Sequence, residues 1–180
     1  MKESHVSIGL SNPKNPTNVG AVMRAAGCFQ VDSVFYTGER YVRAMRFNTD
    51  TKNVCGNIPL TGINSLLDEV PADKKIVCVE LVDGAIPLPE YRHPENAFYI
   101  FGPEDGTISQ DLIDRADAVV YVPTIGSMNL AAAVNVVLYD RLAKSAQTIA
   151  SNELILKSRD TNNNVKVMLS GWSTKPDDRR

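Results

Sequence analysis

The stretch NPTNVGAVMRAAG, residues 15–27, contains one charged side chain, Arg24, among small and apolar neighbours. Arg24 lies four residues after Gly20, so the two share one face if the stretch is helical, and a glycine there leaves room for a second backbone or a ligand. Asn18 lies at the start of the same stretch. A guanidinium is a planar fork of donors that suits phosphate or carboxylate. The pattern therefore leaves two interpretations open, an anion-binding arginine or a structural arginine paired with a nearby carboxylate.

Three further loops carry polar groups directly after apolar runs. FGPEDG, residues 101–106, is a tight turn with Gly102 near its start and Glu104 at its tip. VPTIGSMNLAAAVNVV, residues 122–137, offers Ser127 or Asn129 as a helix cap, and its alanines predict a close packing contact. CVELVDG, residues 78–84, ends an apolar run and could form half of a pocket for a flat ring. Taken singly, each loop is also consistent with an ordinary turn or helix cap.

Alternating apolar strands and amphipathic helices must position these loops. The pattern predicts strands at residues 6–10, 33–37, 75–82, 97–101 and 118–122. It predicts helices at 18–29, 65–70, 110–115 and 128–145, the first capped by Thr17 or Asn18. Continuously apolar strands alternating with helices indicate an α/β fold, a mostly parallel sheet with helices on both faces. Ligands bind such sheets at the carboxyl ends of the strands, where all four loops lie.

Length and composition set the outer limits. The chain has 180 residues and a net charge of −2, with 43% hydrophobic and 22% charged residues. We expect one domain over residues 1–150 and a C-terminal extension, partly mobile, over 151–180. The amino-terminal residues do not have the layout of a secretory signal, so we expect a cytoplasmic protein without a membrane partner. Three cysteines without CxxC spacing argue against a disulfide framework and a zinc site.

Several alternative sites find no support in the sequence. The chain contains no phosphate-binding P-loop, no GxGxxG and no GxSxG motif. His5 and His93 have no ligand arrangement around them, and we expect each to be a surface residue or a satisfied one. Adjacent carboxylates such as Glu104 and Asp105 do not suggest an acid–base pair across a cleft.

The loop GERYVRAMRFNTDTKN, residues 38–53, combines basic and aromatic residues. Such a combination can bind single-stranded RNA through phosphate contacts and base stacking. The candidate RNA-binding residues are Arg40, Arg43, Arg46 and Lys52. The alternative is a solvated loop, or a helix with Tyr41 and Phe47 packed inward.

In combination, three of these loops resemble one family. The N-x-G-x-x-x-R pattern at Asn18, Gly20 and Arg24, the G-x-E of YIFGPEDGTIS, and VPTIGSMNLAAAVNVVLYD resemble the three motifs of the SpoU (TrmH-like) branch of the SPOUT RNA methyltransferases. The order and spacing match over about residues 5–145. The resemblance implies a C-terminal trefoil knot, a homodimer, and S-adenosyl-L-methionine as methyl donor without a metal. It also implies methylation of a ribose 2′-hydroxyl in tRNA or rRNA.

The resemblance also implies roles for single residues. The donor would contact a set of strand-end residues, namely Glu80, Leu81, Gly102, Val122, Ser127, Met128 and Leu130. The catalytic set would be Arg24, Asn18, Glu104, Ser127 and Asn129, with Arg24 facing the RNA, in one arrangement from the other subunit. A guanidinium does not readily give up its proton, so clamping a phosphate and stabilising a developing alkoxide fits Arg24 better than acting as a base.

Departures from the family pattern favour a second hypothesis. Three residues separate Pro123 from Ser127, fewer than is usual in the family, and Ala131 stands where the family has a serine. A non-catalytic or weakened RNA-binding member of the same fold is therefore the alternative function. An unrelated α/β enzyme that binds a nucleotide at the same strand ends is a third hypothesis.

Overall fold

The computed structural model describes residues 4–45, 58–68, 70–145 and 151–167. The strands are β1 (Val6–Leu10), β2 (Ser33–Tyr36), β3 (Leu60–Gly62), β4 (Lys75–Val79), β5 (Ile86–Pro87), β6 (Ala97–Phe101) and β7 (Ala118–Tyr121). The helices are α1 (Pro16–Cys28), α2 (Arg40–Met45), α3 (Gln110–Asp114), α4 (Leu130–Lys144) and α5 (Asn152–Ser158), with one turn of 3-10 helix at Leu88–Glu90.

The seven strands form one sheet in the order β3-β2-β1-β6-β4-β7-β5. Every neighbouring pair is parallel, which confirms the predicted fold class. The four strands that precede the candidate loops, β1, β6, β4 and β7, are consecutive neighbours in this order. Because the strands are parallel, their carboxyl ends lie side by side at the same end of the sheet. The knot implied by the family resemblance stays a prediction.

Both faces of the sheet are buried, which explains the continuous apolar runs of its central strands. Tyr99 and Phe101 of β6 belong to one core cluster, together with the apolar faces of α1 and α4. Phe98 and Ile100 of the same strand belong to a second cluster, against which α3 packs. Each such side chain contributes roughly 1.5–3 kcal/mol when it is fully removed from water. Helices therefore cover both faces, as the sequence predicts.

Helix α1 begins earlier than the sequence predicts. Its cap is Asn15, whose side chain accepts a hydrogen bond from the backbone N–H of Thr17, and Pro16 occupies the first helical turn. The prediction of Thr17 or Asn18 as the cap is wrong, because a proline is favoured at the first helical position, where its missing N–H costs nothing. The shift leaves the Asn18 side chain free for a different contact. In α4 the predicted cap Asn129 is confirmed.

Other differences fall on short elements. Residues 66–68 form a turn instead of part of a helix, β4 ends at Val79 instead of residue 82, and the pattern missed β3 and β5. Helix α2 lies in the segment 38–53, for which a helix was one of the alternatives. The two missed strands contain three and two residues, too few for a periodic pattern to emerge. In α2, Tyr41 packs edge-on against Tyr36 with ring centroids 5.0 Å apart, so the inward-packed alternative holds for this residue.

His93 lies in a buried polar network between β6 and α4, as a satisfied histidine. Its Nε2 lies 2.9 Å from an Asp140 carboxylate oxygen, and its Nδ1 lies 2.6 Å from the Tyr99 hydroxyl. Since a carboxylate only accepts, Nε2 carries the proton and Nδ1 accepts from Tyr99 when the ring is neutral. Burial lowers the pKa of His93, although the hydrogen bond to Asp140 opposes the shift.

Residues 1–146 form one compact unit and residues 147–180 a second. In the second unit, Ser151 caps α5 by accepting a hydrogen bond from the N–H of Leu154, and the apolar side chains of Leu154, Ile155 and Leu156 are exposed. Within the described parts of the chain, no helix has the length and apolar character needed to cross a membrane.

Candidate active site

A cleft of about 380 Å³ opens at the carboxyl ends of the central strands. The volume falls in the range of roughly 300–1,000 Å³ that is usual for small-molecule sites. All seven predicted donor-binding residues line it: Glu80, Leu81, Gly102, Val122, Ser127, Met128 and Leu130. Asn18, Glu104 and Asn129 of the predicted catalytic set line it as well. The cleft therefore joins all four loops that the sequence singles out.

Glu104 connects the loop after β6 to the start of α1. Its Oε2 accepts a hydrogen bond from the backbone N–H of Lys14 at 2.8 Å. Its Oε1 accepts from the backbone N–H of Asn15 at 3.0 Å and from Nδ2 of Asn18 at 3.1 Å. All three partners are donors, so the arrangement requires an ionised carboxylate with two accepting oxygens. Glu104 is thus an anchor for the first motif and not a free acid at a turn tip.

The pKa of Glu104 follows from these contacts. Partial burial raises the pKa, but the hydrogen bonds from the Asn18 side chain and from the backbone of Lys14 and Asn15 outweigh burial and bring the pKa below its ordinary value. A carboxylate that accepts several N–H bonds is stabilised in its charged form. Glu104 is therefore ionised at neutral pH and is not suited to donate a proton there.

Asn18 extends the network to the third motif. While its Nδ2 donates to Glu104, its Oδ1 accepts from Nδ2 of Asn129 at 3.0 Å. Oδ1 of Asn129 in turn accepts from the N–H of Ala131 at 2.9 Å and caps α4. A continuous chain of hydrogen bonds thus runs from Glu104 through both asparagines to the start of α4. It fixes the three motif loops relative to one another along one wall of the cleft.

Glu80 and Gly102 form an adjoining wall. Oε1 of Glu80 accepts from the N–H of Leu81 at 3.0 Å, and Oε2 accepts from the N–H of Ile108 at 2.9 Å. A Cβ at Gly102 would lie 2.9 Å from Oε2 of Glu80 and 3.4 Å from the Ile108 nitrogen. Only glycine leaves the hydrogen bond between β4 and the loop after β6 undisturbed. The charged side chains that line the described cleft are Glu80 and Glu104, so its charge is negative.

The shortened loop between Pro123 and Ser127 borders the cleft opening. Oγ1 of Thr124 donates to the carbonyl of Gly126 at 3.0 Å, and Gly126 has a φ of +87°, a conformation that favours glycine. This arrangement closes the short turn and leaves Ile125 fully exposed at its tip. Thr124, Ser127 and Met128 still line the cleft, so the shorter loop leaves the cleft open.

Comparison with known proteins identifies the family. Residues 5–139, which contain all three motifs, match the profile described as the SpoU rRNA Methylase family. The chain belongs to the SpoU methylase family. This match confirms the resemblance drawn from Asn18, Gly20, Arg24, Gly102 and Glu104. A search of curated protein sequences found no match.

Solved structures of this family share the fold. The rRNA methyltransferase from Sinorhizobium meliloti aligns with a TM-score of 0.64 and 21% identity, covering 79% of this chain and 57% of that one. The SpoU methyltransferase AviRb from Streptomyces viridochromogenes, in complex with the cofactor AdoMet, aligns with a TM-score of 0.64 and 18% identity over 80% of this chain and 59% of that one. A structure described as giving insight into the 2-OH methylation of C/U34 on tRNA has a TM-score of 0.64 and 20% identity, covering 80% and 92% of the two chains. This chain thus spans less than two thirds of the first two relatives.

Arg24 is not among the residues that line the cleft of this SpoU methylase. It is exposed on α1, and its side chain has no hydrogen bond or ion pair with another described residue. The structural interpretation, an arginine paired with a neighbouring carboxylate, therefore finds no partner in the described parts of the chain. A Cβ added at Gly20 would also meet nothing within 4 Å, so the space beside Arg24 is open.

The predicted RNA-binding residues have mixed surroundings. Arg40 binds Asp105, and Arg43 binds Glu39 one turn earlier in the chain. Arg46, Lys52 and the aromatic residue Phe47 lie outside the described residues. Arg40 and Arg43 are thus each paired with a carboxylate of the same chain.

Sequence reasoning missed several residues that line the cleft or adjoin it. Tyr121 and Thr124 line it beside the predicted residues at the end of β7, and Lys14 and Asp105 are bound to each other close to Glu104. Position at the carboxyl end of a strand was the available signal for Tyr121. No local pattern links Lys14 to Asp105, because the two are 91 residues apart in the chain.

Proposed function

We propose that this SpoU methylase transfers a methyl group from S-adenosyl-L-methionine to the ribose 2′-hydroxyl of a tRNA or rRNA nucleotide. The convergence of the three family motifs on one cleft at the strand ends carries this proposal. The AdoMet complex of AviRb supports the donor, and the structure concerned with 2-OH methylation on tRNA supports the ribose hydroxyl as acceptor.

The cleft residues fit the donor chemically. Leu81, Val122, Met128 and Leu130 provide apolar surface for a flat adenine ring. Glu80 and Glu104 supply negative charge, and both oxygens of Glu80 and Oε2 of Glu104 each accept one hydrogen bond and can accept another. A ligand that carries a sulfonium and an ammonium group matches this lining, because opposite charges attract strongly in a partly enclosed cleft.

When bound, the donor supplies an electrophilic methyl group on a positively charged sulfur. The residues of the chain then orient the ribose and stabilise the charge that develops on its 2′-oxygen. The chain of hydrogen bonds from Glu104 through Asn18 to Asn129 holds the three motif loops, so that a ribose oxygen can be placed in line with the methyl group. Arg24, as a protonated donor, would bind the adjacent phosphate and stabilise the negative charge that develops on the 2′-oxygen as the hydroxyl proton passes to water.

We infer that a homodimer brings Arg24 to the reacting nucleotide. In one protomer Arg24 lies outside the cleft, on an exposed stripe of α1 that otherwise consists of the small residues Thr17, Gly20, Ala21, Gly27 and Cys28. Small residues allow a second helix to approach closely. We therefore infer that α1 of one protomer packs against its partner and carries Arg24 to the partner's cleft.

Two measurements test the activity. Calorimetry measures the affinity for S-adenosyl-L-methionine, and tritiated methyl transfer to total tRNA and rRNA measures turnover, with 2′-O-methyl mapping of the product. We expect Arg24→Ala to retain donor affinity and to lose about 10²–10³-fold in kcat, the usual cost of removing one donor to a developing oxyanion. Methylation of a base instead of the ribose, or no donor binding by the wild-type chain, would refute the proposal.

Mixing two inactive variants tests the dimer. Arg24→Ala keeps the cleft intact, whereas Gly102→Val crowds Glu80 and Ile108 in the cleft wall and should abolish donor binding, which calorimetry on this variant checks before mixing. If Arg24 acts on the partner's cleft, each mixed dimer regains one complete site and activity returns on mixing. If Arg24 acts within its own protomer, the mixture stays inactive, and the inferred arrangement is wrong.

The alternative, a non-catalytic RNA-binding member of the fold, rests on the short loop between Pro123 and Ser127. It predicts RNA binding that weakens with salt, without methyl transfer. Because the shorter loop leaves the cleft open, we favour the enzyme. Tritiated methyl transfer by the wild-type chain to RNA that it binds separates the two functions directly.

A further inference from the structure

Two cationic side chains, one from the loop before α1 and one from the first residue of α2, converge on one carboxylate beside the cleft. Nη2 of Arg40 donates to both oxygens of Asp105 at 2.8 Å, and Nζ of Lys14 donates to Oδ2 at 3.3 Å. Asp105 directly follows Glu104, and the backbone N–H of Lys14 binds that glutamate. The cluster formed by Lys14, Arg40 and Asp105 is thus attached to the same turn that anchors the active-site wall.

The cluster is exposed, which limits its value for folding. The side chains of Arg40, Lys14 and Asp105 are 31%, 63% and 49% exposed. Exposed ion pairs contribute little to stability, because water solvates the separated charges well and salt screens them. A carboxylate held only by such contacts can be exchanged for another anion at little energetic cost.

We propose that Lys14 and Arg40 form a binding site for an RNA phosphodiester next to the target nucleotide, and that Asp105 occupies this site until RNA displaces it. This inference rests on the proposed RNA methyltransferase function and adds two unassigned residues, Lys14 and Asp105. A phosphodiester carries one negative charge on two free oxygens, as a carboxylate does. It can therefore take over the donors from Arg40 and Lys14 without leaving either unpaired.

The chemistry and the position favour RNA as the displacing anion. The chain carries a net charge of −2, so its affinity for a polyanion must come from local cationic sites. The cluster adjoins Glu104, whose neighbours line the cleft, so a phosphate bound there would lie close to the reacting ribose. Asp105 also weakens the binding of other anions at this site, because each of them must compete with its carboxylate.

Two other ion pairs of the chain differ from this cluster. Arg43 and Glu39 pair within one helical turn, which a single helix readily produces. Lys75 and Asp117 pair at 2.8 Å where β4 and β7 begin. This pair therefore lies at the amino-terminal ends of the strands, whereas the cleft lies at their carboxyl ends. Asp117→Asn therefore removes the same charge as Asp105→Asn, far from the proposed RNA path, and serves as the matched control.

The test is a filter-binding titration with two probes, unmodified total tRNA and a pool of transcribed rRNA fragments, over a range of salt concentrations. Asp105→Asn should increase RNA affinity about tenfold, whereas Asp117→Asn should change it less than twofold. Arg40→Ala and Lys14→Ala should each weaken binding, and the double variant should reduce the salt slope by roughly 0.7–0.9, the value for the one phosphate contact that the two residues share. In the Arg40→Ala, Lys14→Ala double variant, adding Asp105→Asn should produce no gain.

Each remaining outcome decides against the proposal. If Asp105→Asn weakens RNA binding, the carboxylate positions Arg40 instead of competing with RNA. If Arg40→Ala weakens donor binding and leaves RNA binding intact, the cluster recognises the donor's carboxylate. Thermal unfolding of each variant confirms that it is folded. A wild-type chain that binds RNA with no change in any variant refutes this inference alone, whereas a wild-type chain that binds no RNA refutes the proposed function as well.

Discussion

Replacement of Glu104 by glutamine tests whether the hydrogen-bond chain holds the active-site wall. Glutamine has nearly the same shape but only one accepting oxygen, while Glu104 accepts from three donors through both oxygens. Whichever way the amide turns, its NH₂ group faces at least one N–H of Lys14, Asn15 or Asn18. The substitution therefore removes a charge-assisted hydrogen bond and places two donors against each other.

The size of the effect follows from exposure and hydrogen bonding. A hydrogen bond to a charged group contributes about 1.5–3 kcal/mol to stability, and the exposure of Glu104 places each bond at the low end because water can substitute. We expect Glu104→Gln to lower the free energy of unfolding by about 1–2 kcal/mol at pH 7. For a chain of this length, that loss corresponds to a Tm lower by about 2–8 °C.

The pH dependence sharpens the test. The pKa of Glu104 in the folded chain lies below the ordinary value of 4.5, so the unfolded chain takes up the proton first on acidification. The stabilisation is complete above about pH 4.5 and is lost as the pH falls through the folded pKa. The difference between wild type and Glu104→Gln should therefore shrink at acidic pH.

Urea unfolding followed by circular dichroism at several pH values measures this difference. Glu90→Gln is the matched control, because Glu90 is exposed and its side chain has no hydrogen bond with another described residue. Its effect should stay below about 0.5 kcal/mol at every pH, as for most surface substitutions. Equal stability of Glu104→Gln and wild type at pH 7, or a difference that does not depend on pH, would refute the reasoning.

Three further predictions concern other parts of the molecule. Gly102→Ala should weaken donor binding about tenfold in calorimetry, because a Cβ would lie 2.9 Å from Oε2 of Glu80, while Ser109→Ala in the same loop should not; equal losses would contradict the steric argument. His93 has a pKa below 6.5, mainly through burial, so stability should decline as the pH falls below about 6.5, and His93→Gln should flatten that decline in urea titrations at pH 7.5 and 5.5. Burial raises the pKa of Cys78 to about 12, so alkylation at pH 8, read by mass spectrometry of the folded chain, should leave it unmodified.

The sequence predicts the central strands well because their environment dictates their composition. Strands β1 and β6 match the predicted bounds to the residue, since each is buried along its whole length and consists mainly of apolar residues. The edge strands β3 and β5 were missed, because a two- or three-residue strand contains no periodicity. Residues 66–68 show the opposite error, a helix predicted where the structure has a turn. Leu66 is a core residue of that turn, and its apolar side chain led to the helix prediction.

The candidate site also has a part that the sequence predicts and a part that it does not. Its location was predictable, because four loops at strand ends must meet wherever their strands are neighbours in a parallel sheet. The contacts within it were not, since they depend on side chains far apart in sequence. Asn18 and Asn129 are 111 residues apart, and Arg40 and Asp105 are 65 apart. The composition of a loop in a single sequence predicts the loop itself, but it does not indicate which distant residues the loop will contact.

The asparagines link the hydrophobic core to the shape of the cleft. Asn129 caps α4 and also donates to Asn18 of α1, and the two helices pack against each other over the sheet. Ala131, in the first turn of α4, is buried in the same core cluster as Val22. A larger side chain at Ala131 would separate the helices and stretch the 3.0 Å bond between the asparagines. Because packed cores resist small volume changes, the position of the active-site wall is set by helix packing beneath it and not by the loops alone.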